Sequence, residues 1–272
     1  MPNLEPLAGT ALITGAAHGI GAAFARQLAA QGKRLPPYGC FPCGRLVLVD
    51  KDETGLASMV ESLARSGHDV ESLPANLARP EDQDRVVERI AREEELCLLI
   101  NNAGFGDPKL FFEQDAQLQC DMLQVHVVSA VRFCRAALTG MVRLSRGGII
   151  NVSTLAADLP VPYNVMYGST KAFLRSFSET LRADCAATGV TVQLLCPGYT
   201  HTSFHDSPNY KDLDLGRVPR WMWSSADSVA TASLRALARR KFLCVPGLRN
   251  QCIGFLLRSR IVPMWIIRRI LT

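Results

Sequence analysis

A leader segment, a long apolar run and an internal repeat are all missing from this sequence. Met1–Gly9 has two prolines and a glutamate but no apolar core, so it does not read as a secretory signal. Towards the other end, an uncharged apolar stretch covers Ile261–Ile267. Its seven residues include a proline, far short of the roughly 20 a bilayer-spanning helix needs. No linker or low-complexity tract breaks the chain, and an apolar share of 48% excludes wholesale disorder. The nine cysteines are odd in number and scattered, which points to reduced thiols in a cytoplasmic protein and away from a disulfide scaffold. Cys97, Cys134, Cys185 and Cys196 read as small core residues. Acidic residues are absent from Ser228–Thr272, where nine basic ones gather in a chain of net charge +5. The basic, apolar tail 247–272 fits peripheral contact with an anionic membrane, or a helix packed over a pocket or a neighbouring subunit. The second reading is preferred. No nucleic-acid motif accompanies the charge, so no such partner is expected.

The 272 residues suit a single α/β domain, because strand-like and helix-like segments alternate from end to end. Strands are predicted at Ala11–Thr14, Arg45–Val49, Asp69–Leu73, Leu96–Asn101, Gly148–Val152, Val190–Leu195 and Phe242–Val245. Helices are predicted at Gly21–Gln31, Glu53–Ser66, Pro80–Glu94, Leu118–Leu144, Tyr163–Ala187 and Ala226–Arg239. This alternation implies a doubly wound parallel sheet of about seven strands with helices on both faces. Residues 35–44 hold three prolines and two glycines and read as an inserted loop. Its Cys40 and Cys43 fit a redox pair or half a zinc site. Without a second Cys/His pair nearby a surface loop is preferred, and no metal is expected.

Three blocks carry chemistry. The strand Ala11–Ile13 runs into Thr14-Gly15-Ala16-Ala17-His18-Gly19-Ile20-Gly21 and then a helix, an arrangement that sets free helix N–H groups beside a turn a diphosphate can approach. Asn101-Asn102-Ala103-Gly104 follows a second strand. Tyr167 and Lys171 lie four residues apart in a helical stretch, so both emerge on one face. A phenol of pKa near ~10 is a poor proton carrier at neutral pH; an ammonium ~4 Å away favours its phenolate by up to ~4 kcal/mol at an effective dielectric of about 20.

Taken together, T-G-x-x-x-G-x-G at Thr14–Gly21, N-N-A-G at Asn101–Gly104 and Y-x-x-x-K at Tyr167–Lys171 resemble the short-chain dehydrogenase/reductase family over nearly the whole chain. Pro197-Gly198 matches the family's turn after the sixth strand, with Thr200 and Thr202 where nicotinamide contacts usually fall. The resemblance implies a Rossmann-type fold, a dinucleotide held by Gly15, Gly19, Ile20, Gly21, Asn102, Ala103 and Gly104, and a homodimer or homotetramer. Tyr167 would be the acid/base, with Lys171 lowering its pKa and holding the nicotinamide ribose. Asp50, 29 residues after Gly21 where about 20 is usual, would meet the adenosine ribose, the inserted loop accounting for the difference. A carboxylate there favours NAD(H), while Lys51 and His18 leave NADP(H) open. Asn76, followed by Leu77, stands where aspartate usually faces the adenine.

Two further departures concern catalysis. The family's serine, thirteen residues before the tyrosine, is Thr154; its hydroxyl can still steady a carbonyl oxygen, with Ser153 pointing the other way. The family's water-holding asparagine is His126, which fits either a proton relay or a core histidine satisfied by one hydrogen bond. Residues 199–223 read as a substrate lid with Phe204, His205, Tyr210, Trp221, Met222 and Trp223, a large share of 19 aromatics. These either form a pocket for a hydrophobic, lipid-like or steroid-like alcohol or ketone, or pack the lid down. The branch resembles hydroxysteroid and ketoacyl reductases. An active oxidoreductase is the first reading; the alternative is an inactive cofactor-binding regulatory or scaffold protein, motivated by Asn76, His126 and Thr154.

Overall fold

The computed structural model describes residues 9–31, 43–158, 162–204, 208–211, 216 and 218–259. In chain order the first half runs β1 (Gly9–Thr14), α1 (Gly19–Gln31), β2 (Cys43–Asp50), α2 (Glu53–Arg65), β3 (Asp69–Pro74), α3 (Pro80–Ala91) and β4 (Leu96–Asn101). Then come α4 (Ala116–Leu123), α5 (Ser129–Arg143), β5 (Gly147–Val152), α6 (Val165–Asp184) and β6 (Val190–Leu195). The remainder is β7 (Thr200–His201), β8 (Ser224–Ser225), α7 (Ala226–Ala238), β9 (Leu243–Cys244) and α8 (Leu248–Ser259). Seven parallel strands form one sheet in the order β3-β2-β1-β4-β5-β6-β9, and β7 pairs with β8 beside it.

Strands β1, β4, β5 and β6 are buried along their whole length, as expected of central strands covered on both faces. Side chains alternate across the sheet. Ala11, Ile13 and Leu48 pack with Phe24 of α1, Leu56 of α2 and Val229 of α7. Leu12, Val47 and Leu99 pack on the opposite face with Val86 of α3 and Phe133 of α5. Buried amides cross this core as bonded pairs: Asn101 donates to Asn151, which donates to Ser178 of α6. The strand order reverses between β1 and β4, so a crevice opens at their carboxyl ends.

Three expectations are revised. Cys43 and Gly44 are not loop but the start of β2, because Cys43 is buried and its Sγ lies 3.1 Å from Cys97 Sγ. Gly9 makes room for that pair, since a Cβ there would fall 2.7 Å from the Cys97 Cβ. Cys40 and most of the inserted segment lie outside the described residues. The helix predicted at Leu118–Leu144 is interrupted by a π turn at Gln124–Val128. The whole stretch Ala116–Arg143 is long and apolar enough to cross a membrane, yet Phe133, Ala137 and Met141 bury its inner side against the sheet. The first part of the tail forms α8, on which Leu248, Phe255 and Leu256 are exposed. Residues 260–272 lie outside the described residues.

Candidate active site

At the end of β1, the buried Thr14 hydroxyl donates to the Ile100 carbonyl and accepts the N–H groups of Asn102 and Ala103, both at 3.0 Å. The Asn102 amide returns two bonds, to the carbonyls of Thr14 at 2.9 Å and Gly15 at 3.1 Å. These four ties fasten the glycine turn to the loop after β4. Gly15 and Gly19 take φ of 66° and 54°, a region costly for residues with a Cβ. A Cβ on Gly21 would collide with the Gly15 carbonyl. The turn is therefore folded tightly onto the start of α1, with Ile20 half-buried beneath it, and its geometry fits a bound diphosphate. Thr202 closes the opposite side, its Cβ 3.0 Å from the place a Gly19 Cβ would occupy. Thr200 donates to the Gly198 carbonyl, Pro197 accepts from the Leu155 N–H, and Gly198 abuts Asn250 of α8.

At the end of β2, the Asp50 carboxylate accepts from Ala17 N–H at 2.9 Å and Asp52 N–H at 3.1 Å. Asp52 caps α2 through the Gly55 N–H and lies 2.6 Å from His18 Nε2. These two contacts, the Gly55 bond first, hold its carboxyl below the ordinary range. His18 is thus turned onto a carboxylate, and Lys51 is exposed. The Asn76 N–H donates to Asp82, and its side-chain oxygen accepts from Ala78 N–H; Leu77 is buried beside it.

Helix α6 delivers Tyr167 and Lys171 to one place, with Lys171 Nζ 5.8 Å from the tyrosine ring centre. Lys171 is buried and donates to the Val152 carbonyl at 2.8 Å. Thr154 lies near enough to the Tyr167 hydroxyl to favour its ionised form, while its own Oγ1 accepts from the Ala156 N–H at 3.2 Å. Ser153 is buried and donates to the Lys171 carbonyl at 2.9 Å. Burial pushes the Tyr167 phenol up to about 12, with Thr154 opposing it, and burial also pushes Lys171 down to about 8. The anticipated direction for the phenol is therefore reversed here, because loss of solvent dominates.

His126 reaches this site from the π turn, which rotates the helix register locally. Its Nε2 accepts from the Phe105 N–H at 3.0 Å, so Nδ1 carries the proton and donates to Thr170 Oγ1 at 2.8 Å. Thr170 donates onward to the Tyr167 carbonyl at 3.0 Å. Burial first, then the Lys171 charge, drives the imidazole pKa well down, so the ring is neutral with both nitrogens engaged. Gly104 leaves the necessary space, since a Cβ there would lie 2.9 Å from His126 Nε2 and 3.4 Å from Lys171 Nζ.

The lid aromatics divide. Phe204 lies 5.8 Å from the Tyr167 ring and Tyr210 lies 5.3 Å from Phe204, whereas Trp223 stacks on His201 and Trp221 is exposed near Arg249. His205 lies outside the described residues. Sequence reasoning missed Asp52, Asp107 and Thr170. The first two sit two or three residues beyond a recognised motif, where only a three-dimensional neighbour reveals a role. Thr170 lies inside the Tyr-Lys motif at a position that the motif leaves free.

The model for the short chain dehydrogenase family matches residues 9–212. The chain is 27% identical over 263 residues to hydroxysteroid dehydrogenase-like protein 1 of Gallus gallus, covering 94% of this chain and 72% of that one. It is 32% identical over 195 residues to the granaticin polyketide synthase putative ketoacyl reductase 1 of Streptomyces violaceoruber, covering 71% and 68%. Among solved structures, a short-chain dehydrogenase from Sphingobium yanoikuyae in complex with NADPH superposes with a TM-score of 0.79 at 28% identity, covering 92% and 94%.

Proposed function

Because the chain belongs to the short-chain dehydrogenase/reductase family, we propose that this oxidoreductase interconverts a secondary alcohol and a ketone. The observation that carries this reading is Tyr167, with Thr154 near its hydroxyl and Lys171 Nζ 5.8 Å from its ring centre, at the edge that also holds the glycine turn. A bound nicotinamide supplies or takes the hydride. Tyr167 exchanges a proton with the substrate oxygen, and Thr154 fixes where that oxygen sits. A phenol held neutral starts as the acid, which favours ketone reduction at neutral pH. The Lys171 ammonium, anchored to Val152, stands ready to steady charge that develops on the phenol oxygen. His126 acts as a positioning residue that fixes Thr170 and, through it, the start of α6.

NAD(H) is the preferred coenzyme. Asp50 and Asp52 stand together at the ribose end, and a 2′-phosphate there would face both carboxylates. The rings of Phe204 and Tyr210 support a hydrophobic carbonyl compound, as do the relatives named for hydroxysteroid and ketoacyl chemistry. Exposed Val142 and Phe173 on α5 and α6 suit self-association in the cytoplasm as a homodimer or homotetramer. The test is nicotinamide absorbance over a panel of ketones and alcohols, for the wild type and Tyr167→Phe. The expected result is turnover that drops by on the order of 10²–10⁴-fold in the variant, with NADH binding retained. Binding without turnover of any member, unchanged by the substitution, would instead support a scaffold.

A further inference from the structure

Asp107 lies in the loop after the Asn-Asn-Ala-Gly turn, three residues beyond Gly104. Its side chain is 2% exposed, and neither carboxylate oxygen has a hydrogen-bond partner. Its nearest cation, Lys109 Nζ, stands 3.9 Å from Oδ1, beyond hydrogen-bond range. That ion pair leaves both oxygens without a hydrogen bond, and most buried polar groups in native proteins have one. No helix end explains it, since the short helical turn Phe111–Glu113 is preceded by Leu110. The loop is not free to turn the group outward. The Asp107 carbonyl accepts from Lys109 N–H and from the Gln114 amide, and Asn209 donates to the Gly106 carbonyl.

The neighbours are those of the active site. A Cβ at Gly106 would collide with the Tyr210 hydroxyl and lie 3.4 Å from Phe204, the ring that leans on Tyr167. Burial first, and then the charges of Tyr167 and Asp107, raise the Tyr210 phenol, which puts these groups in one electrostatic neighbourhood.

Building on the ketone–alcohol reading above, we propose that Asp107 is a substrate-recognition residue. It accepts a hydrogen bond from a donor, a hydroxyl or an ammonium, carried by the substrate at a distance from its reacting carbonyl. The substrate class is then an apolar ketone with a remote hydrogen-bond donor, its body against Phe204 and Tyr210 and its donor on Asp107.

Four ketones that differ at one position test this: cyclohexanone, 4-methoxycyclohexanone, 4-hydroxycyclohexanone and 4-aminocyclohexanone. Reduction rates are measured for the wild type, Asp107→Asn and Asp107→Leu, and binding is read separately as ligand-induced rise in melting temperature with NADH present. In the wild type, kcat/KM for at least one donor ketone exceeds that of the methoxy compound by roughly tenfold or more, a typical value for a bond to a charged group. The gain falls mainly in KM, shrinks in Asp107→Asn and vanishes in Asp107→Leu, while cyclohexanone is unaffected. A hydroxyl preference and an ammonium preference each sustain the assignment and identify the donor. Both variants melt no lower than the wild type, because no bond is lost.

Equal handling of the donor and methoxy ketones overturns the assignment, as does an equal loss on all four in the variants. Binding of none of the four also overturns it. Donor-selective binding without turnover sustains Asp107 recognition and defeats the redox reading. Turnover without donor preference does the reverse.

Discussion

At the coenzyme end of the sheet edge, polar side chains are committed to backbone groups. Thr14, Asn102, Asp50 and Asp52 all bond to main-chain N–H or C=O. At the substrate end, side chains bond the main chain and also meet one another: His126 meets Thr170 and Phe204 meets Tyr210, with Asp107 left without a hydrogen-bond partner. The difference matters because a main-chain partner cannot be changed by substitution, so the residue opposite it is held to one type. A side-chain partner can be exchanged if volume and bonding are kept. The departures Thr154 and His126 fall on the second side, whereas Asn76, which accepts from the Ala78 N–H, falls on the first.

The contrast breaks first, if it is wrong, at Gly21→Ala. The added methyl meets the Gly15 carbonyl, and coenzyme affinity is expected to fall by on the order of 1–3 kcal/mol in calorimetric titration. Unchanged affinity would mean the turn is not as tight as described. Lys171→Met sharpens the other side. Lys171 titrates near 8 when folded, below its ordinary value of 10.5, so the cost of burying its charge is fully present below pH 8. That cost is relieved as pH rises towards 10.5. The Met variant should therefore melt higher than the wild type at pH 7, by a margin that shrinks above pH 8, while reducing ketones poorly. A lower melting point at pH 7 would show that the amine stabilises the fold. Asp50→Ser removes one of the two carboxylates at the ribose end, and the NADPH-to-NADH ratio of kcat/KM should rise about tenfold. A ratio that does not move would assign coenzyme choice elsewhere. The smallest effect is expected from His126→Asn, which can still accept from Phe105 and donate to Thr170; kcat should stay within roughly threefold. A collapse of activity, with a pH profile altered near neutrality, would give the imidazole a proton-carrying role.

Legibility follows the same division. The seven strands and the glycine turn were readable because buried parallel strands are continuous apolar runs and left-handed turns call for glycine. Thr154 was picked out by its distance from Tyr167 along the chain, whereas the Ser153 bond to the Lys171 carbonyl was not anticipated. The π turn was not readable, since Gln124–Val128 carries no proline or glycine and its cause is tertiary. Nor was the start of β2: Cys43 looks like loop until Gly9 is seen to clear a path to Cys97. The direction of the Tyr167 shift was missed for a similar reason. Spacing along a helix states which groups are near, but not how much water each has lost.

The pH dependence of kcat for ketone reduction, measured for the wild type and Lys171→Met between pH 6 and 10, tests the Tyr167–Lys171 pairing most directly. The expected result is a wild-type rate that holds steady and then falls as Lys171 loses its proton near pH 8, with that limb absent from the variant. The same profile in both proteins, or a wild-type rate level through pH 9, would contradict it.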